Sequence, residues 1–203
     1  VRTNRPTFNA ALVGYFTKFD NRLQAFASLV PGSTTTETFF QNVGAVEAHG
    51  AEFSGQWKPE ILDGKIYFNT NLSYNSVEFK DGCATFALAG KVVPYFPKWL
   101  FQGGVTVEPV PGAVLNVSAR RVGKRFTNFV NSESTGGYTV FNAYIDLGDG
   151  FAVGPLKQVK ARVNIDNIFD KDYLGTITTT TNTPATFRPG PQRTVQVTLS
   201  TDF

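Results

Sequence analysis

The chain has 203 residues, of which 41% are hydrophobic, 14% aromatic and 17% charged, and its formal net charge is +3. The modest net charge excludes a strong nucleic-acid footprint, the aromatic content excludes a disordered segment, and a single cysteine excludes a disulfide framework or a cysteine-rich metal site. Because no apolar stretch approaches the roughly 20 residues that a membrane helix needs, a soluble β-rich domain and a membrane β-barrel remain.

Apolar residues recur at every second position along most of the chain, which is the pattern of half-buried strands rather than helices. The pattern predicts about eight strands, all antiparallel because no stretch offers a helical crossover. In chain order they lie near residues 9–19, 45–57, 66–75, 99–108, 114–122, 141–147, 159–166 and 193–203. The first segment is apolar on both faces, so its orientation stays open.

One face of most of the predicted strands is polar. In a large barrel such a face is wetted and hydrogen-bonds a plug or a passing solute. For Arg120, Arg162 and Asp146, ligand binding and an ion network, either with the plug or within the wall, are both open. The polar face carries Asn69, Asn71, Ser73, Asn75, Gln102, Thr106, Asn116, Arg120, Asn142, Asp146, Arg162, Asn164, Gln196 and Thr198.

The connections between the strands alternate strictly between long and short. The short ones are residues 58–64, 108–112 and 148–157, and the long polar ones are 21–40, 80–98, 123–137 and 167–192. Outer-membrane barrels have short periplasmic turns and long extracellular loops, whereas a soluble sandwich has no reason to place every long loop at one end. Trp57 and Trp99 lie at strand ends, where membrane barrels carry aromatic belts. The pattern therefore favours a membrane β-barrel over a soluble β-sandwich.

Three sequence elements follow one another along the chain in a characteristic order. They are Asn42-Val43-Gly44 with residues 47–52 and Trp57-Lys58-Pro59, then residues 167–173 (NIFDKDY), then 190–194 (GPQRT) with an alternating run to Phe203. The set resembles the C-terminal part of the barrel of TonB-dependent outer-membrane receptors. The resemblance implies an all-β, antiparallel transmembrane β-barrel, in which about eight strands form the C-terminal third of a 22-stranded barrel.

The resemblance also implies what the chain does. Residues 1–203 would be the C-terminal part of a receptor barrel; nothing in them resembles a plug domain or a TonB-coupling segment, so we expect a fragment. The whole protein would be a transporter of the Gram-negative outer membrane that binds and imports a scarce nutrient, in this family most often a ferric siderophore. Implied partners are outer-membrane lipid and lipopolysaccharide, the rest of the barrel and its plug, TonB indirectly through that plug, and an extracellular small molecule. No cofactor and no nucleic acid are among them.

Several residues have local roles that the pattern predicts. Gly50, inside a strand, predicts a backbone bend or bulge. Asn167 and Asp170 predict a strand end held by side-chain bonds to the backbone. Phe203, a terminal aromatic, resembles the signal that outer-membrane assembly machinery reads. A barrel wall of this kind is expected to have no hydrophobic core of its own.

Cations and aromatics in the long loops or at their rim are the candidate site residues. Arginine offers a bidentate fork to anions, and aromatic rings stack on planar ligands; loop packing is an open alternative for the rings. Arg121 and Lys124, where the fifth strand reaches the outer leaflet, are candidates for contacting lipopolysaccharide phosphates, and holding an anionic ferric chelate is an open alternative for them. The candidates for substrate binding are Arg120, Arg125, Tyr95, Phe126 and Tyr138.

Three other interpretations compete with transport. A complete eight-stranded barrel with a structural or adhesion role would be filled by side chains, but the small Asn, Ser, Thr and Gly residues of the polar face supply little volume. An enzyme would need partners for His49, the one histidine, so we expect no catalytic and no metal site. Cys83, in a long loop, is expected to be an unpaired surface thiol. A soluble sandwich is the remaining alternative.

Overall fold

The computed structural model describes residues 1–82, 87–153, 156–179 and 185–202. A short 3₁₀ turn at Ile61–Gly64 accompanies the strands. Within the ranges described, no helix is long and apolar enough to span a membrane. In chain order the strands are β1 (Arg2–Asn4), β2 (Phe8–Phe19), β3 (Leu23–Leu29), β4 (Thr36–Asn42), β5 (Val46–Trp57), β6 (Ile66–Phe79), β7 (Trp99–Val110), β8 (Ala113–Val122), β9 (Arg125–Phe126), β10 (Ser134–Thr135), β11 (Tyr138–Val153), β12 (Leu156–Asp166), β13 (Leu174–Thr178), β14 (Thr186–Pro189) and β15 (Thr194–Asp202).

Nine strands form one antiparallel sheet in the order β1-β2-β5-β6-β7-β8-β11-β12-β15. All predicted strands are present in it, which confirms the all-β antiparallel prediction. The additional strand, β1, pairs with the start of β2 from Arg2 opposite Ala11 to Asn4 opposite Asn9. Sequence analysis missed β1 because three residues are too few to show a period of two.

The sheet is open at both edges. Among the described residues, β1 pairs with β2 alone and β15 with β12 alone, so the sheet is a partial barrel wall, as predicted. The alternative of a complete eight-stranded barrel is wrong, since closure requires the first and last strands to pair. The soluble sandwich also fails, because the other described sheets are only the two-stranded hairpins β3-β4, β9-β10 and β13-β14.

Cross-strand register sorts the side chains onto two faces. One row runs from Trp57 through Phe68, Val105, Val117, Ala143 and Ile165 to Val195, with each residue directly opposite the next. This apolar face lies on the other side from the polar residues predicted above, so the predicted alternation is confirmed on those strands. The register also orients β2, which sequence analysis left open: Phe8 and Leu12 share the apolar face with Trp57 and Phe53.

Long and short connections lie at opposite ends of the sheet, as predicted. The long ones contain the hairpins β3-β4, β9-β10 and β13-β14. The turn between β11 and β12 is shorter than the predicted 148–157, because β11 continues to Val153 and β12 begins at Leu156. Irregular pairing after Leu147 absorbs the Gly-rich stretch that the sequence indicated as a turn.

A hydrophobic core lies among the long connections, so the expectation of a wall without a core is wrong. Phe129 is its centre, with its ring 5.5 Å from Phe26 and 6.1 Å from Phe79. Each of five separate stretches supplies only one or two of the apolar side chains, which is why these loops looked polar in sequence. We call this group the loop core; its members are Phe26, Val43, Val46, Val77, Phe79, Leu88, Val93 and Phe129.

Candidate functional site

The last long connection is held to β15 by two side chains at the end of β12. Asn167 and Asp170 both have left-handed backbones, with φ of 53° and 51°. The Asn167 side-chain oxygen accepts from the Lys171 amide at 2.8 Å, and its amide group donates to the Pro191 carbonyl at 3.0 Å. The Asp170 carboxylate accepts from the Arg193 amide at 2.8 Å. The predicted strand end is confirmed, although Asp170 bonds across to the next strand rather than locally.

Tyr173 packs between Gly190 and Tyr138. The Gly190 amide donates to the Tyr173 carbonyl at 2.8 Å. A Cβ at Gly190 would lie 2.0 Å from the Tyr173 ring, so only glycine lets the ring sit here. On its other side the Tyr173 ring is 4.4 Å from the Tyr138 ring. The segments 167–173 and 190–194 therefore act together to place an aromatic pair at the loop end of the sheet.

Arg125 lies above this aromatic pair and is only 7% exposed. Its two terminal nitrogens donate to the carbonyls of Gly175 at 2.9 Å and Leu174 at 2.5 Å. Its guanidinium is 5.7 Å from the Tyr138 ring centroid, a cation–π arrangement. Burial lowers the pKa of Arg125 from its usual value, and the nearby positive charge of Arg120 acts in the same direction. Arg125 thus ties β9 to β13.

Tyr95 joins the connection before β7 to two others. Its hydroxyl donates to the Thr179 carbonyl at 3.2 Å and accepts from the Thr179 amide. Its own amide donates to the Phe126 carbonyl at 3.1 Å. Burial raises the pKa of Tyr95, so the hydroxyl stays protonated at neutral pH. Tyr95 and Phe126 are therefore adjacent, as part of the framework that links the long loops.

Arg120 is exposed on the polar face, opposite Gln102 and Val140. The ion pairs found among the described residues use Lys18, Lys80 and Arg162, not Arg120. Arg162 pairs with Asp146 at 3.6 Å. The structure thus shows an ion pair within the wall for Arg162 and Asp146, whereas contact of Arg120 with a ligand or a plug stays a prediction.

The five candidate residues for substrate binding fall into two connected groups at the loop end. Arg120, Arg125 and Tyr138 form one with Tyr173, and Tyr95 with Phe126 forms the other. Contact of any of them with substrate stays a prediction. Sequence analysis missed Tyr173 as a site residue, although its place in the NIFDKDY segment signalled a fixed position.

The two candidates for lipopolysaccharide contact lie differently. Arg121 is exposed on the apolar face, opposite Phe101, and donates to the Thr139 hydroxyl at 3.2 Å. Lys124 is exposed, with its ammonium 5.3 Å from the Phe126 ring centroid. Lipopolysaccharide contact stays a prediction for both residues. Of the two, Arg121 lies on the apolar face.

Gly50 does not form the predicted bulge. Pairing of β5 runs without a register shift against both β2 and β6. Instead, a Cβ at Gly50 would lie 2.2 Å from the Tyr74 carbonyl oxygen and 2.8 Å from the Tyr15 hydroxyl. Because Gly50 has no side chain, it leaves room for the Tyr15 ring on the polar face.

His49 lies on the apolar face, opposite Phe16 and Ser76. In the part of the chain that the structure describes, no group of three or more His, Cys, Asp or Glu side chains could hold a metal ion. Cys83 and Phe203 lie outside the described residues, so the predictions for them stay as they are.

A pocket of about 450 Å³ lies on the polar face near the loop end. Its polar side chains include Arg22 and Asn75, and its rings are Tyr15, Phe19 and Phe96. Sequence analysis missed it because the first strand was not oriented. The alternation of rings and cations in residues 15–22 (YFTKFDNR) was the available signal.

Comparison with known proteins relates this architecture to one family. Residues 1–168 match the family model described as TonB dependent receptor-like, beta-barrel. A curated relative, the ferrioxamine receptor of Yersinia enterocolitica, is 25% identical over 166 residues, which is 82% of this chain and 22% of the relative.

Solved structures show the same fold. The ferric yersiniabactin uptake receptor FyuA of Yersinia pestis matches with a TM-score of 0.72 at 16% identity, covering 100% of this chain and 28% of that one. The ferric preacinetobactin receptor BauA of Acinetobacter baumannii matches at 0.71 and 20%, again covering 100% and 28%. The copper transporter OprC matches at 0.72 and 19%, covering 98% and 30%. The chain thus spans less than a third of the length of each of these relatives.

Proposed function

This chain belongs to the TonB-dependent receptor-like β-barrel family, and from that membership we propose that it is the C-terminal part of an outer-membrane TonB-dependent transporter. The proposed substrate is a ferric siderophore. The relatives include receptors named for ferrioxamine, ferric yersiniabactin and ferric preacinetobactin, which supports this class. The relatives are receptors and transporters rather than enzymes, and we propose no catalytic role for this chain.

The apolar face supports a place in a lipid bilayer. Its exposed side chains include Leu12, Leu72, Val117, Ile145 and Leu199. Exposure of apolar area to water costs about 25 cal/mol per Å², so a continuous apolar face needs a cover. Aromatic pairs lie near its two ends, with Trp57 and Phe68 centroids 5.3 Å apart and Tyr74 and Trp99 centroids 4.8 Å apart.

The rim residues of that face suit the headgroup region. Trp99 lies at the end with the long loops, and Arg121 is on the same face one strand away. A guanidinium offers phosphate a bidentate donor fork. We propose that lipopolysaccharide phosphate binds at Arg121, on the apolar face, with Lys124 as the neighbouring cation.

The single observation that carries the substrate proposal is the group Arg120, Arg125, Tyr138 and Tyr173 at the loop end. The Arg120 guanidinium lies on the polar face. Next to it, Arg125 and the rings of Tyr138 and Tyr173 pack together as one surface. A cation beside two packed aromatic rings favours a planar, electron-rich ligand. On this proposal the polar face below it contacts the plug, and TonB acts on that plug to drive import.

Uptake by the full-length receptor tests this function. Radiolabelled iron would be presented as ferrioxamine and as ferric dihydroxybenzoate to iron-starved cells in which this receptor is the only one produced. We expect uptake of at least one chelate, with Arg120→Ala raising the half-saturating concentration about tenfold, since a charge-assisted bond is worth about 1.5 kcal/mol or more. Lys160→Ala is the matched control, because Lys160 is an exposed cation of the same face near the short turns.

Receptor abundance in the outer membrane would be measured alongside uptake. If the receptor is present and folded but neither ferric chelate is bound or taken up, the proposed function is wrong. If Lys160→Ala impairs uptake as much as Arg120→Ala, the loop-end group is not the binding surface.

A further inference from the structure

The pocket of about 450 Å³ on β2, β5 and β6 shares no lining residue with the Arg120–Tyr138 group. Tyr15, Phe19 and Phe96 provide aromatic walls, and Ala48 is part of the aliphatic floor. Ligand pockets span roughly 300 to 1,000 Å³, and this volume lies in the lower half of that range. The pocket therefore suits a ligand moiety of one or two rings.

Two of the aromatic walls are exposed, and the third is held in place by protein contacts. Phe19 is 54% exposed and Phe96 is 46% exposed, so both rings are open to a ligand. The Tyr15 hydroxyl donates to the Asn75 side-chain oxygen at 2.5 Å. Gly50 leaves the space in which the Tyr15 ring lies. The position of the Tyr15 wall is thus set by the protein itself.

Among the described residues that line the pocket, Arg22 is the cation. Its backbone is held on both sides, since its amide donates to the Gly44 carbonyl at 3.0 Å and its carbonyl accepts from the Val43 amide at 2.9 Å. The guanidinium is partly buried, and the ion pairs found among the described residues involve other cations. Burial lowers the pKa of Arg22, but an arginine stays charged at neutral pH. The desolvated charge lacks a described counterion, and an anion in the pocket would supply one.

We propose that this pocket binds an aromatic anion through Arg22 and the rings of Tyr15, Phe19 and Phe96. The assignment rests on the proposed function, and it names the substrate class as a ferric chelate with aryl carboxylate, phenolate or catecholate groups rather than an aliphatic hydroxamate. Three hydroxamates neutralise ferric iron, so such a chelate offers Arg22 no net negative charge and offers the rings no planar partner. A catecholate carries two negative charges for each ring and satisfies both requirements.

The position of the pocket fits a second contact for the substrate. Phe96 directly follows Tyr95, whose amide donates to the Phe126 carbonyl at 3.1 Å. Val46 and Val77 belong both to the pocket lining and to the loop core. A chelate held by one aryl arm at Arg22 would therefore rest on the same framework of loops that carries Tyr95 and Phe126.

Equilibrium binding to the full-length receptor in detergent tests the proposal, with ferric dihydroxybenzoate and ferrioxamine as the two probes in calorimetry. We expect Arg22→Gln to weaken binding of ferric dihydroxybenzoate tenfold or more and to change ferrioxamine binding less than twofold. Arg22→Lys keeps the charge without the planar fork and is expected to fall between Arg22→Gln and the unchanged receptor. Arg5→Gln is the matched control, because Arg5 lies at the opposite end of the sheet, in the turn before β2.

The outcomes separate this inference from the proposed function. Tight binding of ferrioxamine with no binding of ferric dihydroxybenzoate overturns the aromatic-anion assignment and leaves iron import standing. Binding of neither probe overturns the proposed function. An equal loss for both probes in Arg22→Gln, with Arg5→Gln unchanged, shows a role in folding rather than in recognition, and overturns the assignment too.

A second measurement asks whether another part of the receptor fills the pocket. Ala48→Cys places a thiol on the pocket floor, and a charged maleimide would be applied to intact cells with and without ferric dihydroxybenzoate. We expect labelling of the empty receptor and protection of at least fivefold by the chelate. A thiol that resists labelling in the unliganded receptor shows that protein already occupies the pocket, which overturns the proposal.

Discussion

At the scale of single residues, Tyr138 depends on neighbours that are distant in sequence. The Tyr173 ring supports it at 4.4 Å, Arg125 covers it, and Gly190 leaves the space for Tyr173. The motif segments 167–173 and 190–194 therefore position the Tyr138 ring. The aromatic surface exists only because a glycine and a tyrosine meet across two strands.

Gly190→Ala tests this dependence. A Cβ 2.0 Å from the Tyr173 ring cannot be accommodated without displacing that ring, and overpacking of this kind costs about 1–3 kcal/mol. We expect a lower unfolding midpoint of the full receptor in denaturant and a loss of chelate affinity. Gly136→Ala is the control, because nothing lies within 4 Å of a Cβ there. Equal midpoints for the two variants would contradict the packing described here.

At the scale of elements, the long connections fold together rather than separately. Phe129, in the connection between β9 and β10, packs against Phe26 of β3 and Phe79 of β6. The Asn131 side chain adds a polar link, accepting from the Val92 amide at 2.7 Å and donating to its carbonyl at 2.8 Å. The loops thus form one cap over the end of the sheet.

Phe129→Ala is expected to loosen the whole cap. Removal of a buried phenylalanine side chain costs about 3–5 kcal/mol, and the loss falls on segments that share the loop core. Hydrogen exchange of the full receptor should become faster in residues 23–29 and 88–93 together, with the middle of β6 to β8 unchanged. Val130→Ala, at an exposed neighbouring position, is the control. Faster exchange limited to the connection that holds Phe129 would contradict a cooperative cap.

At the scale of the whole molecule, the two faces of the sheet face different surroundings. Val197 lies on the apolar face, opposite Val163, while Gln196 lies on the polar face, opposite Asn164. Neighbouring positions of one strand therefore offer a paired test of membrane placement. Because Gln196 and Val197 are neighbours in β15, a difference between the effects of the same substitution at the two positions reports what each face contacts rather than a property of the strand.

Val197→Arg is expected to be severe and Gln196→Arg mild. An arginine on the lipid face of a membrane barrel costs about 2–4 kcal/mol near the bilayer midplane, whereas a polar inner face tolerates the charge. The measurement is the amount of heat-modifiable full-length receptor in the outer membrane. Equal losses for the two variants would contradict a lipid-covered apolar face.

Much of the fold was predictable because strand periodicity is a local property. The period of two revealed the predicted strands and the polar face, and the alternation of loop lengths indicated which end each loop occupies. The orientation of β2 was not predictable, since Ala10 to Phe16 is apolar on both faces and only pairing with β5 decides it. For the same reason the pocket beside Tyr15 could not be placed from sequence.

The all-β class, the family resemblance and the candidate cations and rings were predictable, because each depends on residue types at fixed short spacings. The tertiary structure was needed to show that the described strands form one open sheet, that Arg125 donates to the Leu174 and Gly175 carbonyls, and that Arg120 and Arg22 belong to separate groups. It also brought scattered apolar side chains into the loop core. These outcomes depend on contacts between residues far apart in the chain, and no local pattern encodes which distant partners meet.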